Sequence, residues 1–145
     1  MPATDPVLRV SGLWAGYGGT PILQGLEMAV GKGEIVGVIG RNGVGKTTAM
    51  RCLIGLVRAS AGSIRFNGED VTGRQADGRA RLGMGYVPQG REIFPLLTVR
   101  ENLETGFALL PRSERRVPEE VFDLFPVLAE MMNRRGGDLS GGQQQ

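Results

Sequence analysis

One run of the chain, Gly40-Arg41-Asn42-Gly43-Val44-Gly45-Lys46-Thr47, matches the phosphate-loop pattern G-x-x-x-x-G-K-[ST] at every fixed position. In this pattern the glycines let backbone N–H groups turn toward phosphate oxygens, and the following helix adds the positive end of its dipole. Lys46 is then expected to reach the outer phosphates, and the Thr47 hydroxyl to bind Mg²⁺. A Gly-rich turn with an unrelated lysine is the alternative interpretation.

The residues around the loop favour the phosphate-binding interpretation. Residues 34–39 form a short β-branched apolar run, typical of a strand that is buried on both faces of a parallel sheet. Residues 47–57 contain no proline and place apolar side chains such as Met50 and Leu53 at helical spacing. The sequence therefore predicts a strand before the loop and a helix after it, as a phosphate loop requires.

Composition excludes several classes of protein. The 145 residues suffice for a domain that buries roughly 70% of its unfolded surface. The 17 basic and 15 acidic residues give a net charge of only +2, so nothing indicates a nucleic-acid partner. Cys52 is the only cysteine, which excludes an internal disulfide and fits a reducing compartment. Since no apolar run approaches the roughly 20 residues of a membrane span, we expect a cytoplasmic chain.

Local signals divide the rest of the chain into strands followed by helices. Residues 7–13 and 22–30 alternate like half-exposed antiparallel strands, and Asn67-Gly68 is a type I′ hairpin signal. Residues 73–82 are polar and Arg-rich, which predicts a surface helix, and residues 84–88 predict a strand that ends at a proline.

The last third of the sequence is helical in character. Thr98 and Glu101 form a T-x-x-E capping box, Pro118 suits the first turn of a second helix, and Pro126 is expected to kink or restart it. Asp123 could resemble a metal-binding aspartate at a strand end, but its helical surroundings argue against that. The apolar stripe predicted for the second helix is Val121, Leu124, Phe125 and Leu128.

A second motif, Leu139-Ser140-Gly141-Gly142-Gln143, resembles the signature sequence of ABC transporter ATPases. Taken alone, it could be a Ser-capped Gly turn that opens a helix. A Ser hydroxyl and Gly N–H groups at a helix start can grip a γ-phosphate, and the resemblance implies one bound to the opposite subunit of a dimer. It also implies that Tyr17 stacks on adenine, although a loop tyrosine that caps the core is the alternative. Gln89 would be the Q-loop glutamine that contacts Mg²⁺ and the attacking water.

The resemblance implies an α/β fold of the ABC type among P-loop NTPases, with ATP and Mg²⁺ as cofactors. Residues 1–95 would be the N-terminal part of the RecA-like/antiparallel-β core, whose mixed sheet has N-terminal antiparallel strands. Residues 96–145 would be the helical subdomain that meets the permease subunits on the inner face of the plasma membrane. The implied ATP-binding set is Tyr17, the loop 40–47, Thr48 and Gln89, with Thr47 and Gln89 on the metal. A second ATP-binding subunit, like or unlike this one, would complete the dimer.

Within that family the sequence resembles those of the branched-chain amino acid and urea importers, and most closely those of the urea-uptake members. The matching runs are Tyr86-Val87-Pro88-Gln89-Gly90-Arg91, Ile93-Phe94-Pro95, Thr98-Val99-Arg100-Glu101-Asn102-Leu103-Glu104-Thr105-Gly106 and Leu124-Phe125-Pro126-Val127-Leu128. Because other subunits select the solute, urea, a branched-chain amino acid or a short amide all remain open.

The family also needs a Walker B aspartate, a catalytic glutamate and a switch histidine, which should follow the signature. The chain has no histidine and nothing follows Gln145. We therefore expect a fragment truncated before the Walker B strand, with only Lys46 and Gln89 of the catalytic groups. Its ATPase activity is left open, and a nucleotide-binding fragment without hydrolysis is the alternative. A GTPase or small-molecule kinase is more remote: Asp70-Val71-Thr72-Gly73 matches D-x-x-G, but no N-K-x-D follows.

Overall fold

The computed structural model describes residues 5–90 and 92–144. They belong to two compact units, Met1–Tyr86 and Val87–Gln145. The division into domains 1–95 and 96–145 stays a prediction. Arg91 of the urea-importer wording and Gln145 at the chain end lie outside the described residues.

The first unit is built on a four-stranded antiparallel sheet with strand order β2-β1-β3-β4. The strands are β1 (Leu8–Tyr17), β2 (Thr20–Val30), β3 (Ala59–Phe66) and β4 (Glu69–Asp70). Gly18 and Gly19, with φ of 55° and 82°, make the tight turn between the first two strands. The N-terminal antiparallel strands are thus confirmed.

The hairpin between β3 and β4 turns on the dipeptide that predicted it. Asn67 and Gly68 have φ of 50° and 81°, the two left-handed residues that a type I′ turn requires. The turn sets the register, since Phe66 pairs with Glu69 and Arg65 with Asp70. Thr72 lies just beyond and accepts a hydrogen bond from the Ile64 N–H at 2.8 Å, which fixes the chain that leaves the sheet.

Two helices complete the described part of the first unit, α1 (Lys46–Leu53) and α2 (Ala76–Arg81). Both were predicted, although α1 is shorter than the expected 47–57 because Gly55 takes a left-handed φ of 83°. One face of α1 packs on the sheet. The buried core is Val10, Leu13, Ala15, Leu23, Ala49, Cys52, Leu53, Val57, Ile64 and Val71.

The strands predicted at 34–39 and 84–88 are wrong, because neither segment forms a strand in the structure. Ile35 and Ile39 are 97% and 96% exposed. A strand needs a neighbour for its backbone N–H and C=O groups, and the described sheet holds only β1 to β4. As far as residues 5–90 and 92–144 go, the sheet is therefore antiparallel and not mixed.

The second unit is helical. Its helices are α3 (Val99–Thr105), α4 (Glu119–Leu124), α5 (Val127–Met131) and α6 (Gly141–Gln144), with single 3-10 turns at Arg112–Glu114 and Gly136–Asp138. No helix of the described residues is long and apolar enough to cross a membrane. The helical character of residues 96–145 is therefore confirmed for the described part.

The capping box at α3 is confirmed. The Thr98 hydroxyl accepts the Glu101 N–H at 3.2 Å, and the Glu101 carboxylate accepts the Thr98 N–H at 2.7 Å. These N–H and O–H donors of Thr98 lower the pKa of the Glu101 carboxyl.

Pro126 does restart the helix, as predicted, but Leu124 and Phe125 are 73% and 58% exposed. That part of the predicted apolar stripe is wrong, because the break at Phe125 turns these side chains to solvent.

We expect the isolated chain to self-associate through residues 35–39, since an exposed, uncharged segment rich in β-branched residues offers unpaired backbone groups and apolar surface. Replacing Ile35 and Ile39 with glutamate should shift the population toward monomer in sedimentation velocity runs. Leu56→Glu, which changes a 59% exposed apolar residue outside the segment, is the control and should leave the distribution unchanged. A wild-type chain that is monomeric and unfolds cooperatively would contradict the expectation.

Candidate nucleotide-binding site

The loop 40–45 leads directly into α1, which begins at Lys46. Gly45 is the N-cap residue, with a left-handed φ of 105°. A Cβ atom at Gly45 would lie 3.1 Å from both the Ile22 Cγ2 and Leu23 Cδ2 atoms of β2. Only glycine both adopts this left-handed φ readily and has no Cβ atom to press against β2. The loop can therefore lie directly against the sheet at this point.

The Lys46 side chain folds back over the loop that precedes it. Its Nζ donates to the Gly40 carbonyl at 2.6 Å and to the Arg41 carbonyl at 2.8 Å. An ammonium group has three N–H donors, so these two bonds leave one hydrogen for another acceptor. The lysine charge is thus held at the loop, where a phosphate-binding cation is needed.

The start of α1 has the properties of an anion site. Its N-cap, Gly45, has no side chain to accept a hydrogen bond from the first turn. The first amides of a helix lack intrahelical acceptors and lie at the positive end of the dipole. Thr47 is exposed at this turn, whereas Thr48 is only 7% exposed and packs inward. The donors fit a phosphate group, with Thr47 the more accessible of the two hydroxyls.

At this loop Mg²⁺ fits only as part of a metal–phosphate complex, with the Thr47 hydroxyl oxygen as a protein ligand. Among the described residues, no group of three or more His, Cys, Asp or Glu side chains could hold a metal ion. Mg²⁺ commonly keeps several waters and takes one or two protein ligands beside substrate phosphates. The exposed Thr47 hydroxyl suits such a partial ligand set.

Tyr17 ends β1 and is 47% exposed. The Arg51 guanidinium on α1 interacts with the hydroxyls of Tyr17 and Tyr86, and the hydrogen bond with Tyr17 is the main reason that the pKa of Arg51 is raised. A cation on the phosphate-loop helix therefore helps to hold this tyrosine. Sequence reasoning missed Arg51, since nothing local distinguishes it from other exposed arginines.

Arg79 is a second residue that the sequence did not reveal. It lies on α2, was predicted to be on a surface helix, and is only 2% exposed. Its guanidinium donates to the carbonyls of Cys52 and Leu53 at 2.8 and 2.6 Å, and also to those of Thr72 and Arg74. Burial lowers the pKa of Arg79. Arg79 thus caps the carboxyl end of α1, the helix whose amino end carries the loop.

The signature lies in the second unit, where Ser140 precedes α6. The Gln143 side chain accepts the Ser140 N–H at 2.9 Å, as the third residue of a capping box does. Ser140, Gly141 and Gly142 are exposed, and Gln89 of the same unit is exposed as well. The motif therefore opens a helix, as the Ser-capped interpretation also required, and keeps its polar face in solvent.

Asp70 does not behave like a metal-binding aspartate of a GTPase. The Thr72 N–H donates to its Oδ1 at 2.8 Å, and hydrogen bonding with Thr72 lowers the pKa of the Asp70 carboxyl. The neighbouring Val71 is fully buried in the core. Asp70 thus closes the turn after β4, and Asp123 likewise lies exposed on helix α4 and not at a strand end.

A phosphate loop that opens a helix beside a sheet defines the class of P-loop nucleotide-binding proteins. The chain belongs to the ABC transporter family, because the family model described as "ABC transporter" matches residues 23–145. Its fold is the ABC type of the P-loop NTPase, represented here by the antiparallel sheet, the loop and the helices.

Comparisons with individual proteins agree with the family. The chain is 41% identical over 130 residues to the high-affinity branched-chain amino acid transport ATP-binding protein BraG of Pseudomonas aeruginosa, covering 89% of this chain and 56% of the relative. It is 35% identical over 140 residues to the probable branched-chain amino acid transport ATP-binding protein LivF of Archaeoglobus fulgidus, covering 96% and 59%. A solved structure of an ATP-binding subunit of an ABC transporter superposes with a TM-score of 0.78 at 30% identity, covering 95% and 57%. The chain thus spans a little over half the length of these relatives.

We predict that Lys46→Ala lowers the affinity for ATP about 100-fold or more, because it deletes a charge-assisted phosphate contact. Isothermal titration calorimetry with ATP measures the change. The matched control is Lys32→Ala, which removes the other lysine of the chain from an exposed turn and should bind ATP like the wild type. Unchanged affinity in Lys46→Ala would count against the site.

We predict that Tyr17→Ala weakens ATP binding by roughly tenfold, since aromatic stacking on a base contributes about 1–3 kcal/mol. Binding of inorganic triphosphate, which has no base, should not change. Tyr17→Phe keeps the ring but removes the hydroxyl beside Arg51, and it should bind ATP nearly as the wild type does. An effect of Tyr17→Ala as large as that of Lys46→Ala would show that the tyrosine holds the loop together instead.

Proposed function

We propose that this chain is the nucleotide-binding part of an energy-coupling ATP-binding subunit of an ABC importer. The observation that carries the proposal is the Lys46 ammonium, held over a glycine loop at the uncapped start of α1. Such a site recognises a polyphosphate by backbone N–H groups, by the helix dipole and by one fixed cation. Because the chain belongs to the ABC transporter family, we propose ATP as the bound nucleotide.

In this proposal each residue has a separate task. Lys46 and the loop amides would bind the outer phosphates, and Thr47 would contribute an oxygen to Mg²⁺. Thr48, whose side chain packs inward, would offer its backbone N–H to the phosphates closest to the sugar. Tyr17 supports the adenine. Gln89 would orient the attacking water and be a ligand to the metal. When bound, Mg²⁺ supplies charge neutralisation of the phosphate oxygens.

The proposed partners follow from the second motif. Ser140 and the glycines 141 and 142 would bind the γ-phosphate on a second ATP-binding subunit, so that two nucleotides hold the dimer closed. The helical unit would meet permease subunits at the cytoplasmic face of a membrane. Closure on ATP and opening after hydrolysis would then drive the transport step.

For the transported solute we propose a branched-chain amino acid, urea or a short amide. The relatives BraG and LivF are described by their names as branched-chain amino acid transport proteins, which supports the first choice. The sequence around Gln89 and at residues 98–106 resembles that of urea importers, which supports urea. Because the ATP-binding subunit does not itself hold the solute, its sequence separates these choices only weakly.

A second candidate is nucleotide binding without hydrolysis. It is favoured by the geometry of the loop, where the Lys46 ammonium and the amides at the start of α1 supply groups that bind a phosphate. Positioning and charge stabilisation supply nearly all of the catalysis in phosphoryl transfer. The loop and its lysine are enough to bind a nucleotide, whereas hydrolysis also needs a group that orients and activates water.

We predict that the 145-residue chain binds ATP but hydrolyses it at a rate close to background. A binding titration and a phosphate-release assay on the same sample measure the two properties, and Lys46→Ala provides the baseline for both. Hydrolysis well above that baseline, at 1 s⁻¹ or more in order of magnitude, would favour the complete ATPase function for this chain. Failure to bind ATP would reject both candidates.

A further inference from the structure

The carboxamide of Asn102, on α3, clamps the chain that leads into that helix. Its Oδ1 accepts the Phe94 N–H at 2.9 Å. Its Nδ2 lies within hydrogen-bond distance of three carbonyls, those of Phe94 at 3.0 Å, Leu97 at 3.3 Å and Thr98 at 2.9 Å. Both ends of one half-buried side chain therefore hold the segment 94–98, which follows Gln89 in the sequence.

The turn before the signature is attached to the same segment. The Gly136 N–H donates to the Leu97 carbonyl at 2.8 Å, and the Gly137 N–H donates to the Pro95 carbonyl at 2.9 Å. A Cβ atom at Gly136 would lie only 3.1 Å from Asn102 Nδ2. The carboxamide thus fixes the segment and also forms the surface against which the turn packs.

The hydrogen bonds continue from this turn into the signature. Gln144 Nε2 donates to the carbonyls of Gly136 at 3.1 Å and Leu139 at 3.0 Å. The Gln144 N–H donates to the Ser140 carbonyl at 3.0 Å, and Gln143 Oε1 accepts the Ser140 N–H. An unbroken series of bonds therefore runs from Asn102 to Ser140.

We propose that Asn102 is a positioning residue for the signature. By fixing the segment 94–98 against the turn at 136–137, it makes this segment and the start of α6 move as one body. A displacement of the segment then reorients Ser140 without any change in α4 or α5. The functional meaning of this link rests on the proposed role of the signature in binding the nucleotide of a partner subunit.

Hydrogen exchange followed by NMR on the 145-residue chain tests the link. In Asn102→Ala, the amides of Gly136, Gly137, Ser140 and Gln144 should exchange about tenfold faster, since several hydrogen bonds of a local opening unit are lost. The amides of Val121 and Phe125, which bond within α4, are the internal reference and should exchange as in the wild type. Asn133→Ala, the same change at an exposed position of this unit, is the control.

A second variant tests the same contact from the other side. Gly136→Ala places a methyl group against Asn102 Nδ2, Ile93 and the Phe94 carbonyl, and it should also speed exchange at 140 and 144. In the Asn102→Ala background, where the carboxamide is gone, the added methyl group should have a smaller effect, which a double-mutant cycle reveals.

Two results would overturn the proposal: acceleration of all amides of the second unit alike, which indicates a general structural role, or unchanged exchange at Ser140 and Gln144. ATP titration of the same samples separates this proposal from the proposed function. Asn102→Ala should bind ATP as the wild type does, because the phosphate loop belongs to the first unit. If the wild type binds no ATP, the proposed function is rejected. The exchange data then still decide whether Asn102 positions the signature.

Discussion

The packing of α1 against the sheet is the interaction on which the rest of the first unit depends. Ala49, Cys52 and Leu53 bury one face of this eight-residue helix in the core, and a helix so short has little stability without such burial. Its two ends are fixed differently. Gly45 rests on β2, and Arg79 caps the opposite end with bonds to two terminal carbonyls. The orientation of the phosphate loop follows from these contacts.

Features with local causes could be predicted from the sequence. Asn67-Gly68 sets a hairpin because those two residues tolerate left-handed backbone, and Thr98 with Glu101 satisfies the first amides of α3 by itself. The phosphate loop belongs to the same category, since its glycines and its lysine act within eight residues. The placement of these elements in the chain was correct for that reason.

Features that depend on distant partners could not be predicted. The apolar run at 34–39 has the composition of a buried strand, but composition does not supply the neighbouring strand to which it must bond, and Ile35 remains in solvent. For Arg79 the error is the opposite: the sequence predicts an exposed side chain, and the structure buries it. An arginine in a polar stretch is normally exposed, and only the carbonyls at the end of α1, 26 and 27 residues earlier, explain its burial.

The two bonds that Lys46 makes to the carbonyls of Gly40 and Arg41 have a consequence for affinity. A phosphate that enters this loop does not meet a bare charge: one N–H of the ammonium is left for it, and any further bond to Lys46 replaces a bond to one of the two carbonyls. The free energy of binding is therefore a difference between two sets of charge-assisted hydrogen bonds. It depends on how well water or the ligand's own metal satisfies the vacated carbonyls. A loop that holds its lysine more firmly would be a weaker nucleotide site, even with every motif residue in place.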